Sequence, residues 1–213
     1  MFDLTLIRSV GFILTRNLLI LQNQNGKAIV PVKDHFLARV TYRGTSALKK
    51  IKKKFEESGL IERVKETPFR QFFEAEDLKF SGALYHSMML HKTICFKDSE
   101  VQFCFGSSYA RFGLIEYALI TGLDFSKEPS DAEMKAHCTS DRILDTHFNG
   151  ASENLILKQL EDSLDSATDL NDIFKLGLCC LVEGVLITHE PKSKITVSYL
   201  RMVEDLEFFN RYP

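Results

Sequence analysis

Tryptophan is absent, which leaves 17 phenylalanines as the main bulky filler of any core. No C-x-x-C pair occurs among the five cysteines. Their odd number, with Cys179 and Cys180 adjacent, argues against a disulfide framework and for a reducing compartment. No apolar run reaches the about 18 residues that a membrane span requires. The opening "MFDLTLIRSVGFILTRNLLIL" is apolar, but Asp3 stands where a signal peptide needs basic residues, and Arg8 and Arg16 cut the run into short pieces. The chain is therefore expected to be intracellular and free of membranes. Charge of one sign is also missing: 27 basic against 29 acidic side chains give a formal net of −2. Attraction to nucleic acid or anionic lipid would have to come from a local patch. There is no internal repeat and no low-complexity segment.

What is present is an ordinary globular composition, 45% hydrophobic and 26% charged over 213 residues, enough for one sizeable core. Residues 1–43 read as a β-like extension. Two β-prone runs in "NLLILQNQNGKAIVPV" flank Asn25-Gly26, a dipeptide suited to a tight hairpin turn, and Pro31 would confine the second run to a sheet edge. Phe36, Ala38, Val40 and Tyr42 then alternate at the period of a strand.

Residues 44–213 read as a helical domain. In "ALKKIKKKFEES", Leu48, Ile51 and Phe55 share one face, and Gly59 with Leu60 forms a left-handed stop. The lysines precede the glutamates, against the macrodipole, so docking must hold this helix. "PFRQFFE" places Phe69, Phe72 and Phe73 on one side, and "SGALYHSMMLHK" predicts a helix with Leu84, Met88 and His91 inward. "VQFCFG" alternates as a short strand. "RFGLIEYALITGL" predicts a helix whose packing face is Phe112, Ile115, Ala118, Leu119 and Leu123. Residues 124–151 are polar and aperiodic, a surface loop or insertion. Leu155, Leu157, Leu160 and Leu164 mark a further helix. Thr168 or Asp169 caps the next, whose middle "LGLCCLVEGVLI" has Glu183 as its only charge and is expected to be central. Thr196 caps a closing helix lined by Tyr199, Met202, Val203, Leu206 and Phe209. The expected class is mainly α (α+β), a compact helical domain with a few short strands and a small N-terminal β-hairpin.

The most visible functional candidate is the basic run Lys49, Lys50, Lys52, Lys53 and Lys54, which could contact phosphates or serve in nuclear import. Lys52–Glu56 and Lys53–Glu57 at i,i+4 favour the plainer interpretation of a solvated face. His86, His91 and Cys95, and His137, Cys138 and His147, come close in sequence without zinc-ligand spacing, so no metal is expected. Cys179 and Cys180 sit in the most apolar segment, where a thiol is inert. No G-x-S-x-G elbow and no G-x-x-x-x-G-K-[ST] loop is present. Glu183 needs a partner if buried, and a structural acid is favoured over a catalyst. No catalytic residue and no cofactor is expected.

Several strings taken in order resemble a plant domain of unknown function. "LKFSGALYHSMMLHK", "RFGLIEYALITGL" (Arg111–Leu123), "CLVEGVLI" and "VSYLRMVEDLEFFNRYP" match that family's pattern across about Phe69 to Pro213. The resemblance implies a transposon-derived protein, often carrying a SUMO-protease-like cysteine peptidase domain downstream, and a nuclear setting. It implies no established activity. The family pattern runs on beyond Arg-Tyr-Pro, and residues 1–43 have no counterpart in it, as expected of a divergent or shortened copy. The peptidase signature, a His with an adjacent Trp, an Asp, and a Cys led by Gln, is missing from this chain. The expected function is a non-enzymatic protein-interaction or scaffolding domain with a protein partner. The alternative is an accessory nucleic-acid-binding domain using Lys49–Lys54.

Overall fold

The computed structural model describes residues 19–21, 28–42, 44–75, 80–95, 97, 99–125, 129–151, 153–188 and 190–211. The strands are β1 (Leu19–Leu21), β2 (Glu100–Phe105) and β3 (Ser108–Gly113). The helices begin with α1 (Gly44–Glu57), α2 (Ile61–Lys65), α3 (Arg70–Glu74), α4 (Gly82–Leu90) and α5 (Leu114–Thr121). They continue with α6 (Asp131–His137), α7 (Arg142–Phe148), α8 (Leu157–Ser166), α9 (Leu170–Leu181), α10 (Val197–Met202) and α11 (Leu206–Arg211). A π-helical segment, Val182–Ile187, prolongs α9. The fold is α-dominated α+β. The chain divides into one unit of Met1–Tyr42 with Glu76–Thr121 and another of Arg43–Ala75 with Gly122–Pro213.

The first unit is built on an antiparallel sheet in the order β1-β3-β2. Alternation works as the sequence predicts: Val101 and Phe103 of β2 are buried, and they face Phe112 and Ala110 of β3, buried too. The outer edge of β2 is not left open. Thr93 donates to the Gln102 carbonyl and Cys104 to that of His91, both at 2.8 Å, and Ile29 donates in turn to Lys92 at 2.8 Å. Such pairing blunts an edge that would otherwise recruit other chains.

The hairpin turn at Asn25-Gly26 lies outside the described residues. The strand expected over Phe36–Tyr42 does not form: a 3₁₀ turn at Val32–Asp34 leads into an irregular strap. Its alternation finds no ladder partner, and the strap instead crosses α4. His86 Nε2 meets the Phe36 carbonyl at 2.7 Å, and Gly82 approaches Val40 so closely that an added Cβ would fall 2.1 Å from its oxygen. Ser81 caps α4 through the Leu84 N–H. Met88 is buried as expected, but Leu84 is exposed, and Tyr85 and Leu90 complete the buried face instead.

Helix α5 departs further from its sequence pattern. The expected packing residues Ile115 and Leu119 are 67% and 76% exposed, while Glu116, Tyr117 and Thr121 are buried. The junction with β3 sets this rotation. Glu116 Oε2 accepts from the Gly113 N–H at 2.8 Å, and Oε1 accepts from Arg111 at 3.1 Å. An N-terminal cap of this kind anchors the first turn, whatever hydropathy would prefer.

The second unit surrounds α9, nearly all of whose side chains are buried from Ile173 to Leu181. Asp169 caps it by accepting from the Asn171 and Asp172 N–H groups. Helix α1 docks through Leu48, Ile51 and Phe55 as its periodicity predicts. It ends in a left-handed Gly59 (φ +66°), with Gly59 N–H to Glu56 and Leu60 N–H to Phe55, the two bonds of a Schellman stop. The Phe55 ring stacks between Phe73 (5.5 Å) and Phe174 (5.7 Å). Helix α8 buries Leu157, Leu160 and Leu164.

Two segments differ from expectation here. Residues 124–151, read as a surface loop or insertion, contain α6 and α7, and α7 buries Ile143, Leu144 and Phe148. The flanking polar residues conceal these three anchors in the sequence. The closing helix is broken into α10 and α11, because Asp205 Oδ1 accepts from the Phe208 N–H (3.0 Å) and starts a new helix.

Candidate functional site

The lysine run does not form one cationic face. Lys52 Nζ donates to the Ala75 carbonyl that ends α3 (3.0 Å). Lys54 Nζ donates to the Asp165 and Ala167 carbonyls that end α8 (2.9 and 3.3 Å). Cations at helix C-termini satisfy orphan carbonyls and complement the dipole, so these two side chains tie α1 to its neighbours. Lys53 pairs with Glu57 at 3.6 Å on the surface, and Lys49 is not free either. Lys50 lines a cavity of ≈ 210 Å³ between α1 and α8, where Glu161 stands with it and Leu157 and Gly184 supply apolar wall. Nearby, Arg63 donates to Asn171 Oδ1 (2.8 Å) and stacks its guanidinium on Phe174 (4.1 Å).

Glu183 sits in the π-helical turn and is 1% exposed. Its Oε1 accepts from the Thr196 N–H at 2.6 Å, so it caps α10 from a distant part of the chain, while Oε2 is buried with no partner. Thr196 was the expected cap; its side chain makes no cap bond, and Glu183 takes that role. Glu183 does not line the cavity beside α1, whose nearest contributor is Gly184. Burial pushes its carboxyl above the ordinary carboxylate range, and the Thr196 hydrogen bonds oppose this without cancelling it. The folded state thus binds this proton more tightly than the unfolded chain does. Its contribution is fully present below the unfolded carboxylate value and is lost as pH rises through the folded one. In urea titrations between about pH 4 and pH 8, Glu183→Gln is expected to gain stability relative to wild type as pH rises. Parallel curves would show that the carboxyl binds its proton equally in the folded and unfolded chains.

The histidines and cysteines separate into local roles. His91 Nδ1 bonds the Ser87 carbonyl (2.7 Å) and its ring stacks on Phe105. His137 Nδ1 donates to Asp205 (2.7 Å) and its ring stacks on Phe208. Among the described residues no three His, Cys, Asp or Glu side chains converge as a metal site. Cys179 and Cys180 are buried, and burial pushes both thiols up, with Glu183 adding to the effect. Such thiols are poor nucleophiles.

A polar cluster that the sequence did not reveal lies around α9. Asp172 accepts from Arg142 (2.7 Å) on one oxygen and from His147 Nε2 (2.9 Å) on the other. Glu204 joins Arg142 and Lys175, the latter at 2.7 Å. Its members come from α7, α9 and the α10–α11 break, so no local spacing announces them. Each carboxylate is neutralised by a neighbouring cation, an arrangement that fixes packing rather than one poised for proton transfer.

Chemically, the described residues hold a helical domain together by caps and ion pairs turned inward. They define an α-dominated α+β domain, with no helix among the described residues long and apolar enough to cross a membrane. The chain belongs to the family of the domain of unknown function DUF1985, whose model matches residues 89–213, more than half of its length. No curated protein and no solved structure matches it.

Proposed function

We propose that this chain is a non-enzymatic protein-interaction or scaffolding domain. Its setting, on the resemblance described above, is a transposon-derived plant protein acting in the nucleus alongside a SUMO-protease-like peptidase domain. The observation that supports the interaction role is the strap over α4. The strap backbone is held by the His86 ring of α4 on the Phe36 carbonyl, and His35 lies edge-on to His91 at 5.1 Å. Its apolar side chains are turned outward, Val32 at 76% and Leu37 at 100% exposure. Large apolar groups this exposed on a backbone held in place favour a contact surface.

Val32→Asp with Leu37→Asp is expected to leave the thermal melt within about 0.5 kcal/mol of wild type, as for surface changes elsewhere. The same variant should lose proteins that the wild-type chain retains from a nuclear extract. Equal retention by both chains, or turnover of a substrate by the purified chain, would overturn the proposal. The alternative of nucleic-acid binding through Lys49–Lys54 has no comparable support, since Lys52 and Lys54 are engaged with helix ends and Lys53 with Glu57.

A further inference from the structure

Residues 35–42 of the strap run without a turn or bend, starting from His35 in an extended conformation (φ −63°, ψ 139°). Two carbonyls of this run meet α4: that of Phe36 accepts from His86, and that of Val40 lies against Gly82. They are four residues apart, which fits the two-residue period of a strand and not the three-residue period of polyproline II. In a strand each residue turns its N–H and C=O to one edge, and its neighbours turn theirs to the other. Phe36, Ala38 and Val40 therefore direct their backbone groups toward α4, and Leu37, Arg39 and Thr41 direct theirs away from it. These last three residues are exposed, Leu37 completely. None of them makes a hydrogen bond among the described residues. Each offers one strong donor and one strong acceptor. The outer edge of β2 is covered by Thr93 and its neighbours, but this edge is open, and an open edge is a template for another extended segment.

The side chains along the edge decide which segment fits. Leu37, Arg39 and Thr41 share one face of the strap. Arg39 has no ion-pair partner among the described residues, nor has exposed Lys33, and Asp34 is the only acid between Ala28 and Tyr42. A second copy of the chain is a poor occupant. The antiparallel register that engages all three residues on both copies sets Arg39 opposite Arg39, and like charges directly opposite destabilise a ladder. Building on the strap as a contact surface, we propose that the Leu37–Thr41 edge pairs with an extended segment of a partner protein. That segment places a carboxylate opposite Arg39 and apolar side chains on either side of it. Main-chain hydrogen bonds supply the affinity, and the pair at Arg39 supplies the selectivity.

The probe is a fluorescein-labelled peptide with the central sequence Val-Thr-Glu-Thr-Val, titrated with the full chain by fluorescence anisotropy. Its Val, Glu and Val residues are set to face Thr41, Arg39 and Leu37. Replacing its Glu by Lys is expected to weaken binding about tenfold, with one cross-strand attraction lost and one repulsion gained. Arg39→Glu in the chain should reverse that order of preference. N-methylation of the Val, Glu and Val nitrogens removes the hydrogens that reach the strap, and should weaken binding by about tenfold or more. N-methylation of the two Thr nitrogens, which face away, should change it by less than about twofold. No binding of the parent peptide, equal binding of the Glu and Lys forms, or equal effects of the two methylation patterns would overturn the proposal. So would a dimer of the chain in sedimentation that Leu37→Pro, which removes one edge N–H, dissolves. If the edge fails while Val32→Asp with Leu37→Asp still loses retained proteins, the strap is a contact surface that binds through side chains alone.

Discussion

Phe55→Ala is expected to lower the unfolding free energy by about 3–5 kcal/mol and Gly177→Ala by about 1–3 kcal/mol, yet the two together by less than their sum. Phe55 has no exposed surface, and its ring lies between Phe73 and Phe174. Its removal leaves a cavity lined by side chains that are themselves held on α3 and α9. Gly177 faces the same ring: a Cβ there would come 2.2 Å from Phe55 Cε1. A ring stacked on both faces cannot swing aside, so the methyl group must displace α1 from α9. In the Phe55→Ala chain the obstacle is gone, and the new methyl group fills part of the void. Contacting residues of this kind couple by about 0.5–3 kcal/mol. Urea denaturation of the four chains measures the cycle, and costs that add within about 0.5 kcal/mol would refute the contact as the cause.

The same pair shows what could be read from the sequence. The face of α1 repeats at three and four residues, and its stop at Gly59 uses a conformation that glycine adopts readily, so both were legible. The Asp169 cap and the buried alternation of β2 were legible for the same reason: each depends on residues adjacent along the chain. That Gly177 is the place where α1 crosses α9 was not, because the contact joins residues more than a hundred positions apart. The orientation of α5 was misread although every residue was in view. Hydropathy favoured Ile115 and Leu119 as the core face, but the cap from Gly113 and the Arg111 ion pair decided the rotation. Helix α7 was hidden by composition, since its three buried side chains are outnumbered by polar neighbours. For the candidate site, the lysine run was visible, whereas the carbonyls that engage Lys52 and Lys54 belong to α3 and α8 and could not be inferred from spacing. Glu183 was rightly singled out as needing a partner. Its partner proved to be a backbone N–H thirteen residues on rather than a basic side chain.

Asp172→Ala should have the second-largest effect, a loss of about 2–3 kcal/mol at neutral pH, the scale of hydrogen bonds to a charged group. Asp172 is buried and receives Arg142 and His147 on its two oxygens. A full buried ion pair would cost more when broken, but Arg142 is close to half exposed and retains Glu204, so water and the second carboxylate recover part of the loss. The pH dependence separates charge from packing. Burial pushes the Asp172 carboxyl up, yet the hydrogen bonds from Arg142 and His147, with their charges, outweigh it and hold the group below the ordinary aspartate range. A depressed folded value means that the stabilisation is fully present above the unfolded pKa of about 4 and is lost as pH falls through the folded value. The gap between wild type and Asp172→Ala should therefore be constant from about pH 5 to pH 7 and should narrow on acidification below about pH 4. Asp172→Asn, which keeps the shape and removes the charge, should show the same narrowing from a smaller starting gap. A gap that stays constant into acid for both variants would mean that Asp172 acts through packing alone, and that the ion pairs around α9 contribute nothing to holding α7 in place.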